Sequence, residues 1–445
     1  MELTELIPTF GNTLYTIAAF VVALSVIVAV HEYGHYIVGR WCGIKAEVFS
    51  LGFGPVLWKR TDRHGTQWQV AALPFGGFVK FLGDASAASD KASDDFEEMD
   101  EETKRHTMHG APLWARVLTV AAGPVFNFIL SILVFAGLLL ASGVPSNPLT
   151  VATVSPMPGL EDRLRPGDEI VAVEGQPTPD VGGFRDLINT LPVRPELDYT
   201  LRRDGAVVET AAPYPYPAIV HGVTAGTAAI EAGLQPGDVI TAIDGEDLFA
   251  FDQLRTAVGA SDGKELALTV WRGGDTLDVT LKPKRMDLPR ADGSFETRWL
   301  IGITGGLVFE PQTAMPGPLE AAQYGVNQTV FIIKTSLSGL YNMTIGAIDS
   351  CNLRGPIGIA QTSGAAASQG LEAFIFFIAV LSTAVGLLNL FPIPVLDGGH
   401  LVFHAYEALT GKPPSDFALR ILMTVGLAML LTLMVFALTN DIRCP

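Results

Sequence analysis

Long apolar segments constrain this chain more than any other feature, because a stretch of about 20 apolar residues crosses a bilayer as a helix. The first covers residues 14–38 and the second about 117–141, the third begins at about 373, and the last covers about 418–438. An ordinary soluble mixture of residues separates the second from the third. The 445-residue chain is long enough for two or three domains. We therefore expect an α-helical membrane protein with about four transmembrane helices and a soluble insertion.

The charge balance and the cysteine count exclude some classes of protein. The formal net charge of −17 at pH 7 argues against nucleic-acid binding, which needs a basic face. Part of the excess lies in a stretch interpreted as a solvated, flexible linker, with Asp94, Asp95, Glu97, Glu98, Asp100, Glu101 and Glu102. Three scattered cysteines, Cys42, Cys351 and Cys444, are too few for a disulfide framework. Because the N-terminus lacks a basic region, no cleaved signal peptide is expected.

The first apolar segment ends in His31-Glu32-Tyr33-Gly34-His35. Positions i and i+4 share one face of a helix, so both histidines can point at one metal ion. Glu32 can reach a water on that metal without being a ligand, an arrangement that suits metal-assisted hydrolysis. Such residues at membrane depth are costly and are functional by default. The alternative is a histidine pair that only caps the inner end of the helix.

Basic residues orient this first helix. Glu2 and Glu5 precede it without any Lys or Arg, whereas Arg40 and Lys45 follow it closely. Because basic residues favour the cytoplasmic side, the N-terminus is expected outside and the histidines in the inner half of the membrane.

Residues 44–82 change to a β-like pattern. Apolar runs at 48–57 and 67–79 flank the turn-type cluster Asp62-Arg63-His64-Gly65, which predicts a β-hairpin lying against or partly inside the inner leaflet. Its open edge beside a metal site could pair with an extended peptide. A cytosolic loop packed on the helices is the alternative.

The second apolar segment contains Gly123-Pro124-Val125-Phe126-Asn127. Gly and Pro in a membrane helix allow close helix contact, and Asn127 offers one buried polar side chain. Gly123 and Asn127 are therefore candidates for a helix contact or for orienting a metal ligand. An interhelical hydrogen bond with no chemical role explains Asn127 equally well.

The region between residues 144 and 284 contains an internal repeat. Residues 165–175 (RPGDEIVAVEG) match 235–245 (QPGDVITAIDG), each a turn that feeds a strand and a second turn. Helices at 183–191 and 251–258 and alternating strands are predicted to follow. These residues resemble PDZ domains of the bacterial protease type, which bind peptide ends by adding a strand to a sheet edge. Two small sandwich modules without a ligand are the alternative.

The segment 319–350 decides the topology. Lys334 and Asn342 interrupt its apolar pattern. If it lies on the surface as an interfacial amphipathic helix, the third apolar segment brings Asp397 to the same leaflet as the two histidines. If it spans, Asp397 lies across a core of about 30 Å, whereas zinc binds its ligands at about 2 Å. A shared metal site therefore requires the surface arrangement, which we predict.

Asp397 is the candidate third ligand, because two histidines and a carboxylate are a standard set for catalytic zinc. Pro392 and Pro394 precede it, break helix geometry and let a polar group lie inside the membrane. Chemistry alone leaves His400 and His404 as alternatives.

The combined motifs resemble the site-2 intramembrane metalloproteases over nearly the whole chain. They are His31-Glu32-Tyr33-Gly34-His35, the 123–127 segment, the PDZ pair, Arg354-Gly355-Pro356-Ile357-Gly358-Ile359-Ala360 and Asn389-Leu390-Phe391-Pro392-Ile393-Pro394-Val395-Leu396-Asp397-Gly398-Gly399. The resemblance implies a zinc metalloendopeptidase that cuts transmembrane segments inside the bilayer. It implies that His31, His35 and Asp397 bind one Zn²⁺ and that Glu32 is the catalytic base. Asn389, with Pro392 and Pro394, would contact the substrate.

The resemblance also implies partners and a location. Substrates would be single-span proteins already trimmed outside, such as an anti-sigma factor in regulated intramembrane proteolysis during a stress response, or remnant signal peptides. The PDZ domains would exclude bulky ectodomains or read new peptide C-termini. The chain would lie in the inner membrane of a bacterium with two membranes, with both termini and the PDZ domains periplasmic. Cys351 and Cys444 would then both lie outside, where a disulfide is possible.

Two other functions compete with a protease. The first is a PDZ-bearing membrane scaffold or chaperone whose catalytic site is vestigial. The second is a zinc transporter, which would need polar residues along several spans. The fold expected for the protease combines about four transmembrane helices, a membrane-associated β-hairpin, and two inserted α+β PDZ domains with partly open barrel or sandwich sheets.

The predicted segments follow from these patterns. They are a first transmembrane segment at 1–43, the hairpin region at 44–83, the acidic linker at 84–112, a second transmembrane segment at 113–142, PDZ domains at 143–218 and 219–286, a connector at 287–318, the interfacial helix at 319–352, a third transmembrane segment at 353–412 and a fourth with the C-terminal tail at 413–445.

Overall fold

The computed structural model describes residues 3–84, 96, 98–160, 162–224, 226–290 and 294–443. Its first elements are helix α1 (Leu3–Trp41), strands β1 (Ala46–Thr61) and β2 (Gln67–Phe81), and helices α2 (Glu101–Lys104) and α3 (Leu113–Ser142). Part of the predicted acidic linker, 85–95 and 97, lies outside the described residues. The described remainder includes the short helix α2, where the Asp100 carboxylate accepts a hydrogen bond from the Thr103 N–H.

Strands dominate the middle of the chain. The elements there are β3 (Val144–Pro145), β4 (Val151–Val154), β5 (Glu169–Val173), β6 (Gln176–Pro177), α4 (Val181–Ile188), β7 (Glu196–Arg203), β8 (Ala206–Pro213), β9 (Val220–Val223), α5 (Ala228–Glu231), β10 (Val239–Ile243), β11 (Glu246–Asp247), α6 (Phe251–Ala260), β12 (Leu266–Arg272), β13 (Asp275–Leu281), β14 (Lys284–Pro289), β15 (Phe295–Leu300), β16 (Ile303–Gly305), β17 (Phe309–Pro311) and β18 (Thr313–Ala314).

The remaining elements are helical. They are α7 (Pro318–Thr344), α8 (Pro356–Ser368), α9 (Leu371–Asn389), α10 (Asp397–Thr410) and α11 (Asp416–Arg443). Among the described residues, four helices are long and apolar enough to cross a membrane: 13–41 of α1, all of α3, α9 and α11. This confirms the prediction of four apolar helices of membrane-spanning length, and α7 is not among them.

The chain divides into two compact units. The first, here called the helical unit, comprises 1–136, 322–337 and 353–445. The second, here called the inserted unit, comprises 137–321 and 338–352.

Close approach of α1 and α3 in the helical unit depends on glycine. A Cβ added at Gly34 would lie 2.6 Å from the Ala122 carbonyl oxygen, and one at Gly39 would lie 3.1 Å from Thr119. Since no other residue lacks a Cβ, these positions let the two helix backbones touch.

Polar side chains join α3 to α9. The Ser131 hydroxyl lies 2.8 Å from the Ala379 carbonyl oxygen, and the Ser382 hydroxyl donates to the Asn127 carbonyl oxygen at 3.0 Å. A Cβ added at Gly386 would lie 3.1 Å from both Asn127 Cβ and the Pro124 carbonyl oxygen, so any larger residue would push these neighbours away. Hydrogen bonds to backbone carbonyls satisfy these hydroxyls where lipid offers no partner.

The segment predicted as a simple hairpin is folded back on itself. Residues 46–51 pair with 77–81 on one side and with 67–70 on the other, and 56–61 pair with 67–71. The fold-back occurs where Gly52 and Gly76 have φ values of +87° and +130°, which a side chain would disfavour. The result is a curled sheet whose open edges are 77–81 and 56–61.

The inserted unit contains two modules of the same design. Their four-stranded sheets have the orders β6-β5-β7-β8 and β11-β10-β12-β13, and each module has its own apolar core. Buried Asp168 accepts hydrogen bonds from the Arg203 guanidinium at 2.7 Å, and buried Asp238 accepts from Arg272 at 2.6 Å. The repeat seen in the sequence is therefore also a repeat of internal contacts.

The residues predicted as a connector, 287–318, form strands that return to both modules. Strand β16 pairs with β9, β17 pairs with β4, and β18 pairs with β3. Phe309 and Ile301 are buried in the first and second module core, respectively. Strands of two or three residues have no readable alternation, so their partners are not apparent from the sequence.

A carboxylate at the end of α11 caps α8. Asp441 accepts hydrogen bonds from the N–H groups of Gly355, Ile357 and Gly358 at 2.8, 3.0 and 3.1 Å.

The segment predicted as one membrane region, 353–412, contains three helices, α8, α9 and α10. Cys351, in the inserted unit, is disulfide-bonded, and its candidate partner Cys444 lies outside the described residues.

Candidate metal centre

His31 and His35 lie one turn apart on α1 and face the same point. Their Nε2 atoms are 3.2 Å apart, and each side chain is 12% exposed. This proximity follows from the i, i+4 spacing on a helix.

Asp397 reaches the same point from α10. Its Oδ2 lies 3.2 Å from His31 Nε2 and its Oδ1 lies 3.5 Å from His35 Nε2. One ligand atom from each of the three residues lies within 4.8 Å of the others, and this is the only such metal-binding group within the part of the chain that the structure describes.

Two glycines place Asp397 at the start of its helix. A Cβ at Gly398 would lie 2.3 Å from the Phe391 carbonyl oxygen, and a Cβ at Gly399 would lie 2.3 Å from that of Ile393. The turn through Pro392 and Pro394 therefore packs directly on the first turn of α10. The sequence Asp-Gly-Gly after the two prolines is what this geometry requires.

The three residues fit a zinc ion. Two imidazole nitrogens and one carboxylate oxygen are a standard protein ligand set for catalytic zinc, with a fourth position left for water or substrate. Asp397 Oδ2 is buried beside His31 Nε2, a nitrogen that carries no proton when it binds a metal, and no other described residue donates a hydrogen bond to this oxygen. A buried carboxylate oxygen without a donor is costly, and a bound cation would satisfy it.

Residues of α3 orient the two imidazole rings. His35 Nδ1 lies 2.8 Å from the Thr119 carbonyl oxygen, so Nδ1 carries the proton and Nε2 is free to bind a metal. His31 Nδ1 lies 3.2 Å from the Asn127 side-chain amide, whose Oδ1 is buried without a hydrogen-bond donor. Rotating the Asn127 amide by 180° would let its Oδ1 accept a hydrogen bond from the Nδ1–H of His31, which leaves His31 Nε2 free to bind a metal.

Strand β2 holds Glu32. The Glu32 carboxylate accepts a hydrogen bond from the Val79 N–H, and a Cβ at Gly77 would lie 3.1 Å from Glu32 Cγ and 2.7 Å from the Ser50 carbonyl oxygen. The open edge at 77–81 thus lies directly beside Glu32.

A cavity of about 290 Å³ contains these groups. Besides Glu32 and the three candidate ligands, it is lined by Asn389, His400 and His404. Neither Pro392 nor Pro394 lines the cavity, and Pro394 lies against Gly426 of α11. The structure places Asn389 on the cavity wall and the two prolines in the turn that precedes α10.

Sequence reasoning missed several contributors to the site. Thr119 and Val79 act through backbone groups, which any residue type can supply, so their identity carries no signal. Gly123, by contrast, is a predicted helix contact, and a Cβ there would lie 2.3 Å from His35 Nε2 and 2.7 Å from His31 Cε1. The spacing of Thr119, Gly123 and Asn127 along one helix face was a signal that could have identified Thr119.

Comparison with known proteins agrees with this chemistry. The model of peptidase family M50 matches residues 19–433. A relative from Agrobacterium fabrum that is named as a zinc metalloprotease is 37% identical over 430 residues, covering 96% of this chain and 95% of the relative. The regulator of sigma-E protease RseP of Salmonella typhimurium is 34% identical over 461 residues, covering 97% of this chain and 99% of that protein. A Brucella suis relative, also named as a zinc metalloprotease, is 34% identical over 428 residues, covering 96% of this chain and 95% of the relative.

These matches favour an enzyme over a scaffold or a transporter. They extend over both apolar ends and the inserted unit, and the names of the relatives agree with the metal-binding group in the helical unit. The chain belongs to peptidase family M50 and is a zinc metalloprotease of the site-2, intramembrane type.

Proposed function

We propose that His31, His35 and Asp397 hold the zinc ion and that Glu32 is the catalytic base. The observation that carries this proposal is the convergence of the three ligand atoms within 4.8 Å, beside Glu32 and in one cavity. When bound, zinc supplies Lewis acidity that activates water and polarises a peptide carbonyl.

Glu32 moves the proton in this mechanism. Its carboxylate accepts the proton of the attacking water and passes it to the amine that leaves. The Val79 N–H orients the carboxylate. Asn389 lines the same cavity and is placed to hydrogen-bond the substrate near the scissile bond.

The open edge at 77–81 gives the substrate backbone a partner. A transmembrane helix hides its carbonyls in internal hydrogen bonds, so it must unwind before it is cut, and the freed backbone groups are costly in lipid. Strand addition to an exposed edge satisfies them. The edge lies beside Glu32, so a segment paired there would pass the candidate metal centre.

The inserted modules are proposed to be PDZ domains that act on the substrate's outer part. The repeated strand order and the repeated buried Asp–Arg contacts support two copies of one domain. A cavity of about 390 Å³ beside α4 is large enough for a peptide end. The modules would exclude bulky ectodomains or bind new peptide C-termini.

The Salmonella relative is named as a regulator of sigma-E protease. This name supports an anti-sigma factor as a substrate of this chain, with remnant signal peptides as a second class.

We place the protein in the bacterial inner membrane, with the termini and inserted modules periplasmic. Arg40, in the last turn of α1, and Lys45, just after that helix, support a cytoplasmic end for it.

Metal analysis of two variants tests the ligand set. Purified Asp397→Ala is expected to lose zinc relative to the wild type, because only two ligands remain. His400→Ala is the matched control and should keep one zinc per chain. Loss of zinc from His400→Ala together with its retention in Asp397→Ala would replace Asp397 by His400 as the third ligand.

Removal of the inserted modules tests their role. Because β16, β17 and β18 pair with strands of both modules, the deletion must cover 144–314 rather than stop at 284. The shortened protein should cleave a substrate that retains its ectodomain, and continued rejection of that substrate would eliminate a size filter.

A further inference from the structure

One face of α3 carries three residues that contact the imidazoles of the candidate metal centre and a fourth that contacts α10, the helix of Asp397. Arg116, Thr119, Gly123 and Asn127 are spaced by three, four and four residues, which places them on a single stripe of the helix. The last three contact the imidazoles of His31 and His35. Arg116, at the end of the stripe, contacts neither.

Arg116 instead forms a bidentate ion pair with Glu407. Its Nη2 lies 2.6 Å from Oε1 and its Nη1 lies 3.0 Å from Oε2. The side chains are 15% and 17% exposed, respectively. Arg116 Nε also donates to the Ala111 carbonyl oxygen at 3.2 Å, so the guanidinium is fixed on both edges. A two-point contact of this kind sets orientation as well as distance.

Glu407 belongs to α10, the helix whose first residue is Asp397. Ten residues separate the two carboxylates, which is about 15 Å along a helix. The first turn of α10 is fixed by packing at Gly398 and Gly399, and the ion pair fixes the helix near its other end. The helix that carries Asp397 is therefore attached at two points, one of them on the same stripe of α3 that orients both histidines.

We propose that Arg116 and Glu407 form a positioning pair that sets the placement of α10 against α3, and thereby the placement of Asp397 relative to His31 and His35. The proposal rests on the proposed ligand set. Partly buried ion pairs contribute little net stability compared with apolar replacements of similar size, since desolvation offsets their attraction. The main effect of this pair is therefore expected on the geometry of the metal centre.

Two conservative variants test the pair. Arg116→Lys keeps the charge and loses the two-point contact, and Glu407→Gln keeps the shape and loses the charge. In each, zinc should transfer to a competing chelator about 10-fold faster than in the wild type, the size expected for a group that supports a metal ligand. The visible absorption of the Co²⁺-substituted protein should change, because it reports the ligand geometry. With a transmembrane peptide substrate, kcat should fall while KM stays near the wild-type value.

The reversed pair, Arg116→Glu with Glu407→Arg, keeps the contact and should restore slow zinc release toward the wild-type rate. The control is Arg202→Lys in the exposed pair with Glu169, whose N–O distances are 2.6 and 2.7 Å. It should leave zinc release unchanged.

The positioning role is wrong if Arg116→Lys and Glu407→Gln release zinc and absorb as Co²⁺ proteins at wild-type values. If either fails to fold, the apolar pair Arg116→Met with Glu407→Leu decides: it should fold, since packing replaces the ions, yet release zinc faster. Slow release from it would contradict the proposal. Retention of zinc by Asp397→Ala would overturn the ligand set instead, so the two failures are distinguishable.

Discussion

At the scale of single residues, glycine determines how closely the supporting helix approaches the metal centre. Gly34, inside the His-Glu-x-x-His motif, faces a carbonyl oxygen of α3, and Gly123 of α3 faces both imidazoles. The motif itself could be read from the sequence, because i, i+4 spacing is a local property. The facing glycine could be suspected but its contact could not be known, because helix pairing joins residues far apart in the chain.

The substitution Gly123→Ala tests this contact. A Cβ there would lie 2.3 Å from His35 Nε2, so the imidazole must move and zinc affinity should fall by about 10- to 100-fold. The matched control is Gly137→Ala on the same helix, where no described atom lies within 4 Å of the added Cβ. It should bind zinc normally, and equal zinc affinity in both variants would show that the close approach is unimportant.

At the scale of elements, contacts between distant segments place the site residues. Apolar length predicted four helices that could cross a membrane, and these are present. The fold-back of β1 and β2 and the return of β16 and β17 to the modules could not be predicted, because such pairings leave no local periodicity. The same holds for the cap on α8, since Asp441 lies 86 residues from Gly355.

We predict that Asp441→Ala destabilises the helical unit by about 1 kcal/mol, the usual effect of losing a helix cap. Three N–H groups of α8 would lose their acceptor. Asp416→Ala, an exposed acid at the start of α11, should have a smaller effect. Thermal unfolding in detergent measures both, and an unchanged midpoint for Asp441→Ala would mean that water replaces the carboxylate.

At the scale of the whole molecule, the candidate metal centre and the buried Asp–Arg pairs belong to different compact units. All the candidate site residues belong to the helical unit. The first module of the inserted unit depends on Asp168, whose side chain is 1% exposed and which is paired with Arg203. Burial opposes ionisation of Asp168, but the Arg203 and Arg165 hydrogen bonds outweigh it, and its pKa falls below the usual 3.8.

This lowered pKa predicts an acid-sensitive module. A carboxyl with a lower pKa in the folded state stabilises that state above its unfolded value, and the contribution is lost as pH falls below about 4. Asp168→Asn leaves Arg203 uncompensated and should cost about 3 kcal/mol near pH 7. Because the site residues lie in the other unit, the zinc content of Asp168→Asn should match that of the wild type. Unfolding of the wild type and of Asp168→Asn, measured as a function of pH, tests the acid sensitivity. If both proteins lose the same stability as pH falls below about 4, the prediction is contradicted.

The role of Glu32 is tested by measuring cleavage and zinc content together in the purified Glu32→Gln variant. Glu32 is proposed to move the proton and not to bind the metal, so the variant should hold one zinc per chain and fail to cut a transmembrane peptide that the wild type cuts. Cleavage at the wild-type rate by the zinc-loaded variant would contradict the central claim that Glu32 is the catalytic base beside a zinc ion held by His31, His35 and Asp397.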